Sequence, residues 1–237
     1  MTAKPRIVPA AIAAVIAITI LCALGMWQVQ RLHWKEGLLA DIAGKLAQPA
    51  IPFTSVPSGN TAEFTKVTAA GTYIPSRNRF VIAISEGGAG WQVVTPLVMD
   101  NNYVLLVDRG SIPDRELPAY RSENFTGPVE ITGILRLRRD KPGAFTPVND
   151  VAGNHWYWWD VPAMLASIEL PQGANPVAAV VQLLPDPSGP PLPKPQPPSA
   201  NLANNHLGYA LTWFGFAIIL AVIAILFIRQ QMNKSGA

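Results

Sequence analysis

The chain has 237 residues, 49% of them hydrophobic, and a formal net charge of +3. The segment 31–206 holds 14 of the 18 Lys and Arg and all 15 Asp and Glu, so the middle of the chain is slightly acidic; the other four basic residues, Lys4, Arg6, Arg229 and Lys234, lie in the tails. A near-neutral middle lacks the basic face that nucleic-acid binding requires, and the lone Cys22 excludes an intramolecular disulfide and a thiolate metal site.

In chain order, residues 1–6 read as a short basic tail, and no charge occurs from Ile7 to Gln30. At ~1.5 Å per residue such a run crosses a ~30 Å hydrocarbon core, which predicts a transmembrane helix over 7–30. The run is longer than the ~7–15 apolar residues of a signal peptide and continues into GMWQVQ, where Trp27 suits a membrane interface, so the helix is expected to be retained.

Residues 31–184 read as a β-rich domain. After an amphipathic stretch around WKEGLLADIAGKLAQ, β-branched and aromatic runs alternate with turn residues, predicting strands at 64–74, 78–84, 90–99, 102–110, 129–137 and 177–184. Asp100-Asn101-Asn102 predicts a tight hairpin turn, because Asn and Asp tolerate positive φ. Asp160, with Pro162 and AMLASI after it, predicts a capped helix. NHWYWWD reads as a packed aromatic strand with its four rings split between two faces. The expected fold class is an α+β membrane protein, with two transmembrane helices flanking a compact antiparallel sheet that is partly rolled into a barrel.

Residues 185–203 form a proline-rich linker, with eight prolines between 185 and 200. In an extended polyproline form, at ~3.1 Å per residue, it either spaces the domain from the next apolar run or lies along the domain surface. That second uncharged run, Leu207 to Ile228, predicts a transmembrane helix over 204–228, and 229–237 is a second short basic tail. Basic residues resist translocation, so both tails are expected in the cytoplasm and the domain outside it.

Candidate chemistry is sparse. The three histidines, His33, His155 and His206, have no zinc or copper ligand spacing. His155 between Asp150 and Asp160 suggests a hydrolase base, yet no Gly-x-Ser-x-Gly elbow accompanies it, so an enzyme is not expected. Asp108 and Asp114 beside Arg109 and Arg115 read as surface or ladder ion pairs. In NNHLGYALTWF, His206, Tyr209, Ala210 and Trp213 fall at i, i+3, i+4 and i+7 on one helix face. Two readings stand for it: an interfacial histidine with belt aromatics, or a haem ligand with aromatic rings packed at the edge of the macrocycle. Arg31 and Lys35, in WQVQRLHWK at the end of the first run, lie at the same interface and suit propionates. Gly208, Thr212 and Gly215 form a small-residue face that admits another helix.

Several stretches, LGMWQVQRLHWKEGLL, the GTY of 71–73, GWQVVTPL, VLLVDRGSIP, KPGAFTPVNDVAGNHWYWWD and NNHLGYALTWF, together resemble the Surfeit locus 1 protein family, in family order and over nearly the whole chain. The resemblance implies an assembly factor of haem–copper cytochrome oxidases, of bacterial type, in the inner (plasma) membrane with a periplasmic domain. It implies haem A as cofactor, oxidase subunit I as partner with haem A synthase a further candidate, and contact with membrane lipid. By motif position it places Trp27, Gln28, Arg31, Trp34 and Lys35 in the first-helix motif and Asn205, His206, Tyr209, Thr212 and Trp213 in the second, with His206 as the proposed axial iron ligand. Trp27, Gln28 and Trp34, with Gly208, Thr212 and Gly215, are expected to serve helix packing or a partner. The chain departs from the family at Asp108-Arg109-Gly110-Ser111, where Asn-Arg-Gly-Trp is usual. The alternative, a cofactor-free membrane scaffold that holds nascent subunit I during haem insertion, is also compatible with the family.

Overall fold

A computed structural model describes residues 7–54, 62–85, 88–124, 127–138, 141–198 and 205–235. The expected tail 1–6 with Lys4 and Arg6, the end of the linker with the first residue of the second span (199–204), and 236–237 lie outside the described residues. The chain divides into two compact units, 1–41 with 201–237, and 42–200.

The first unit contains two helices long and apolar enough to cross a membrane. Helix α1 spans Ile7–Ala47, with Pro9 in the first turn, where the N–H that proline lacks has no helical partner to lose. It continues as one helix through the amphipathic stretch 31–47, so the expected end at residue 30 marks a change of polarity and leaves the helix unbroken. The other helix is α4, His206–Ser235, the fourth α-helix among the described residues.

The second unit is a seven-stranded sheet. Its strands are β1 Ile51–Pro52, β2 Lys66–Tyr73, β3 Arg79–Ser85, β4 Gly88–Met99, β5 Tyr103–Pro113, β6 Pro128–Arg136 and β7 Asn175–Leu183. All six predicted strands form, and the two-residue β1 joins them. The strand order is β1-β2-β6-β7-β5-β4-β3. Two pairings, β1 with β2 and β5 with β7, are parallel, so the sheet is mixed and the antiparallel expectation is corrected. The parallel neighbour of β5 arrives only after a long crossover that contains α2 Leu117–Arg121, β6 and α3 Val161–Ala166. Gly71–Tyr73 of β2 also pairs with Leu97–Met99 of β4, which curls the sheet. Three residue pairs do not make the expected partial barrel a clear one.

Burial explains the continuous apolar runs. In β5, Leu105 and Val107 enter one core with Leu97, Leu135 and Val181, while Leu106 enters another with Val94, Val180, Trp156 and Met164. Both faces are covered, so these strands read as VLLV rather than as alternating polar and apolar residues. Asn102 turns the β4–β5 hairpin at φ +63°, and the Asp160 carboxylate caps α3 by accepting from the Ala163 N–H at 3.1 Å.

NHWYWWD does not form the expected strand. Asp150 and His155 exchange backbone hydrogen bonds across a tight turn, Asn154 takes φ +56°, and Trp156 bridges to the edge of β3 at Val81. Trp156 is fully buried under α3, whereas Tyr157 is exposed and Trp158 and Trp159 are half-buried. The proline-rich segment lies along the sheet, where Lys194 and Ser111 donate backbone N–H groups to each other's carbonyls at 2.9 Å. Of the two linker readings, the surface-hugging one therefore holds over the described residues.

Candidate functional site

The two helices of the first unit pack through small residues. On α4, Ala210 and Ala217 are buried, and His206 shares their face. On α1 the facing positions are Gly25 and Gln28, both buried. A Cβ added at Gly25 would lie 2.7 Å from the Cε1 and Cζ atoms of Phe214, so the missing side chain is what lets that ring seat against α1. Toward the Ile7 end the pair opens, leaving an apolar cleft of about 280 Å³ lined by Ala10, Ala14, Leu220 and Phe227.

One turn beyond Gly25, Gln28 Oε1 stands 2.7 Å from His206 Nδ1. An amide oxygen only accepts, so Nδ1 is the donor, and in the neutral ring this leaves the lone pair on Nε2. That is the tautomer a histidine needs to bind a metal through Nε2 while its other nitrogen is held by a protein carbonyl. An apolar helix pair with one oriented imidazole suits an iron porphyrin. Among the described residues no group of three or more His, Cys, Asp or Glu exists to hold a bare ion.

The other expected site residues distribute around this pair. Trp213 is half-buried and meets Phe216 edge-on at 6.4 Å, while Tyr209 faces outward at 56% exposure. The face predicted from spacing is thus split, with Ala210 at the helix contact and Tyr209 away from it. The Arg31 guanidinium sits 4.0 Å over the Trp34 ring, and Trp27 is exposed. Lys35 is half-buried. Nothing lies within 4 Å of a Cβ added at Gly208 or Gly215, and Thr212 Oγ1 donates to the Gly208 carbonyl at 2.9 Å. The Gly208/Thr212/Gly215 face therefore takes no part in the α1–α4 contact.

Sequence reasoning grouped Gln28 with packing residues and did not pair it with His206. The signal was present in the sequence: a neutral amide inside an apolar run is costly to bury without a hydrogen-bond partner.

In the second unit, of the expected surface or ladder ion pairs, Asp108 and Arg109 do not pair with each other, and each has a different, less exposed partner. Asp108 is 1% exposed, accepts the Gly110 N–H at 3.1 Å and lies 3.5 Å from Arg138. Burial raises its carboxyl above the usual carboxylate range, opposed by Arg138 and by the Gly110 N–H. Arg109 instead makes a two-pronged ion pair with Glu123 at 2.6 and 3.2 Å, and Asn78, buried between Thr95 and Glu123, completes the network. Asp114 accepts from the Trp91 indole at 2.7 Å. Arg136, Arg138, Ser111, Gln182 and Gln196 line a polar cleft of about 360 Å³ that sequence reasoning missed, because its residues come from separate strands and the linker.

The imagined catalytic histidine is also accounted for. His155 Nδ1 lies 3.6 Å from Asp150, and its Nε2 lies 3.0 Å from the Arg121 guanidinium, which can only donate. The lone pair a general base would use is therefore taken by an arginine.

A model of the SURF1 family matches residues 15–218. The chain belongs to the SURF1 family. Relatives agree over its length. A SURF1-like protein of Rickettsia felis is 29% identical over 227 residues, covering 92% of this chain and 96% of the relative. One from Monosiga brevicollis is 30% identical over 230 residues, covering 90% and 85%. Surfeit locus protein 1 of Mus musculus is 30% identical over 211 residues, covering 81% and 67%. The family match begins inside α1 and ends inside α4, so it takes in the Gln28–His206 pair as well as the sheet. Ser111 Oγ accepts from the Gln196 side-chain amide at 3.1 Å, which ties the linker down at that position.

Proposed function

We propose that this SURF1-family chain is a non-enzymatic assembly factor for a haem–copper cytochrome oxidase, which holds haem A through His206 and aids its delivery to oxidase subunit I. Both helices span the bacterial inner membrane, both termini are cytoplasmic, and the sheet unit is periplasmic. Haem A synthase is the further candidate partner, as the source of the cofactor, and lipid surrounds the helices.

The observation that carries this reading is the Gln28–His206 hydrogen bond of 2.7 Å, which leaves a histidine lone pair available at the end of an apolar helix pair. His206 would hold haem through its neutral imidazole, and the haem would supply an iron that such a nitrogen can ligate. Trp213 and Tyr209 would pack against the macrocycle, and Arg31 and Lys35 would meet its propionates. A single protein ligand suits a carrier, which must capture its cargo and also release it.

The test is complementation of a strain lacking this chain, scored by haem A per assembled subunit I. Wild type should restore it and His206→Ala should leave it well below; full restoration by His206→Ala would overturn the reading. One observation favours the scaffold alternative: the Gly208/Thr212/Gly215 face is left open by α1, as a docking face for a subunit I helix would be. On that reading Gly208→Leu or Gly215→Leu harms maturation more than His206→Ala does.

A further inference from the structure

Gln28 is nine-tenths buried, whereas the polar side chains that follow it in α1, Gln30 and Arg31, are not, and an amide oxygen buried there needs a donor. Its donor is His206 Nδ1 at 2.7 Å. The bond does two things to the ring. It selects one of two neutral tautomers, and it ties the ring plane to α1, so that the Nε2 lone pair points away from the buried amide. A neutral histidine side chain free in water favours the other tautomer, with the proton on Nε2, and in that form it has no lone pair on Nε2 to give.

We propose that Gln28 is the positioning residue of this site: its side-chain carbonyl holds His206 in the Nδ1-protonated form and presents Nε2 as the ligating nitrogen. This rests on the reading of His206 as a haem ligand. The identity of the partner is part of the argument. A carboxylate in this place would draw the Nδ1 proton toward itself and make the imidazole a stronger donor to iron. A neutral amide orients the ring without that strengthening, which suits a site that must let its cargo go.

The experiment uses the full chain in detergent with ¹⁵N-labelled histidine, first without haem and then titrated with haemin (iron protoporphyrin IX). His206→Ala assigns the His206 nitrogen signals. The wild type should show His206 protonated on Nδ1. Gln28→Met, close in shape but with no acceptor, should move His206 toward the Nε2-protonated form and weaken haemin binding about 10- to 100-fold. Gln28→Glu, which keeps an acceptor, should retain the Nδ1–H signature and lower the midpoint potential of the bound iron. An unchanged His206 signature in Gln28→Met overturns the positioning role, whatever haemin does. A wild type that takes up no haemin while Gln28→Met still switches the tautomer overturns the haem reading and leaves the hold of Gln28 on the ring standing.

Discussion

Gly110 lies at the point where the linker crosses the sheet, with φ +114°, and a Cβ added there would overlap the backbone of Lys194 and Pro195. Replacing it by alanine therefore has two costs. Forcing a residue with a side chain into that backbone region costs about 1–3 kcal/mol. Because the obstructing atoms are main chain and no side chain can swing aside, the linker must also lift, losing the two Ser111–Lys194 hydrogen bonds at 2.9 Å. Those contribute roughly 1–3 kcal/mol together, so the total is about 4 kcal/mol. For a unit of this size that is a fall in Tm of about 10 °C. Gly173 provides the control: its φ is +79°, yet nothing lies within 4 Å of an added Cβ, so Gly173→Ala carries the backbone cost alone. The assay is urea unfolding of the full chain in detergent, monitored by tryptophan fluorescence, for both variants beside wild type. Gly110→Ala should lose more stability than Gly173→Ala by about the two hydrogen bonds, roughly 2 kcal/mol. Equal losses would show that the linker contact contributes nothing and would refute the reasoning.

Other perturbations separate the two units. Gly25→Leu should push Phe214 and α4 away from α1 and break the Gln28–His206 bond, costing roughly 1–3 kcal/mol for overpacking and weakening any bound haem, while the sheet unit unfolds at its wild-type urea midpoint. Gly208→Leu and Gly215→Leu should leave the isolated protein unchanged by circular dichroism and urea midpoint, since no neighbour lies within 4 Å, so a defect seen only in oxidase maturation would locate a partner there. Asp108 has a raised folded-state pKa, so its protonated form is the one folding favours: its contribution is fully present below the ordinary carboxylate value of about 3.9 and is lost as pH rises through the raised folded value. Asp108→Asn should therefore flatten that part of the stability–pH curve; an unchanged curve would mean that another group causes it.

The range of each interaction decided how much of it the sequence made legible. The strands, the Asn102 turn and the Asp160 cap depend on residues within a few positions of one another, and period and turn chemistry displayed them. The parallel β5–β7 pairing joins residues about seventy apart, and no local pattern distinguishes it from another antiparallel neighbour. NHWYWWD carries strand-forming residues, but the Asp150–His155 turn and the burial of Trp156 under α3 overrode that propensity. Asp108 and Arg109 looked like a pair because they adjoin in sequence, but adjacent residues on a strand point to opposite faces, which sent one to Arg138 and the other to Glu123. At the candidate site His206 stood out, since a titratable side chain at the mouth of an apolar run is conspicuous. Its partner, 178 residues earlier in the chain, did not.

The most direct test of the central claim is a pyridine haemochrome analysis of the protein purified in detergent from cells making haem A, wild type beside His206→Ala. Haem A near one per chain in the wild type and absent from the variant is the predicted result. Haem-free wild-type protein from such cells, or equal haem in both, would contradict the account.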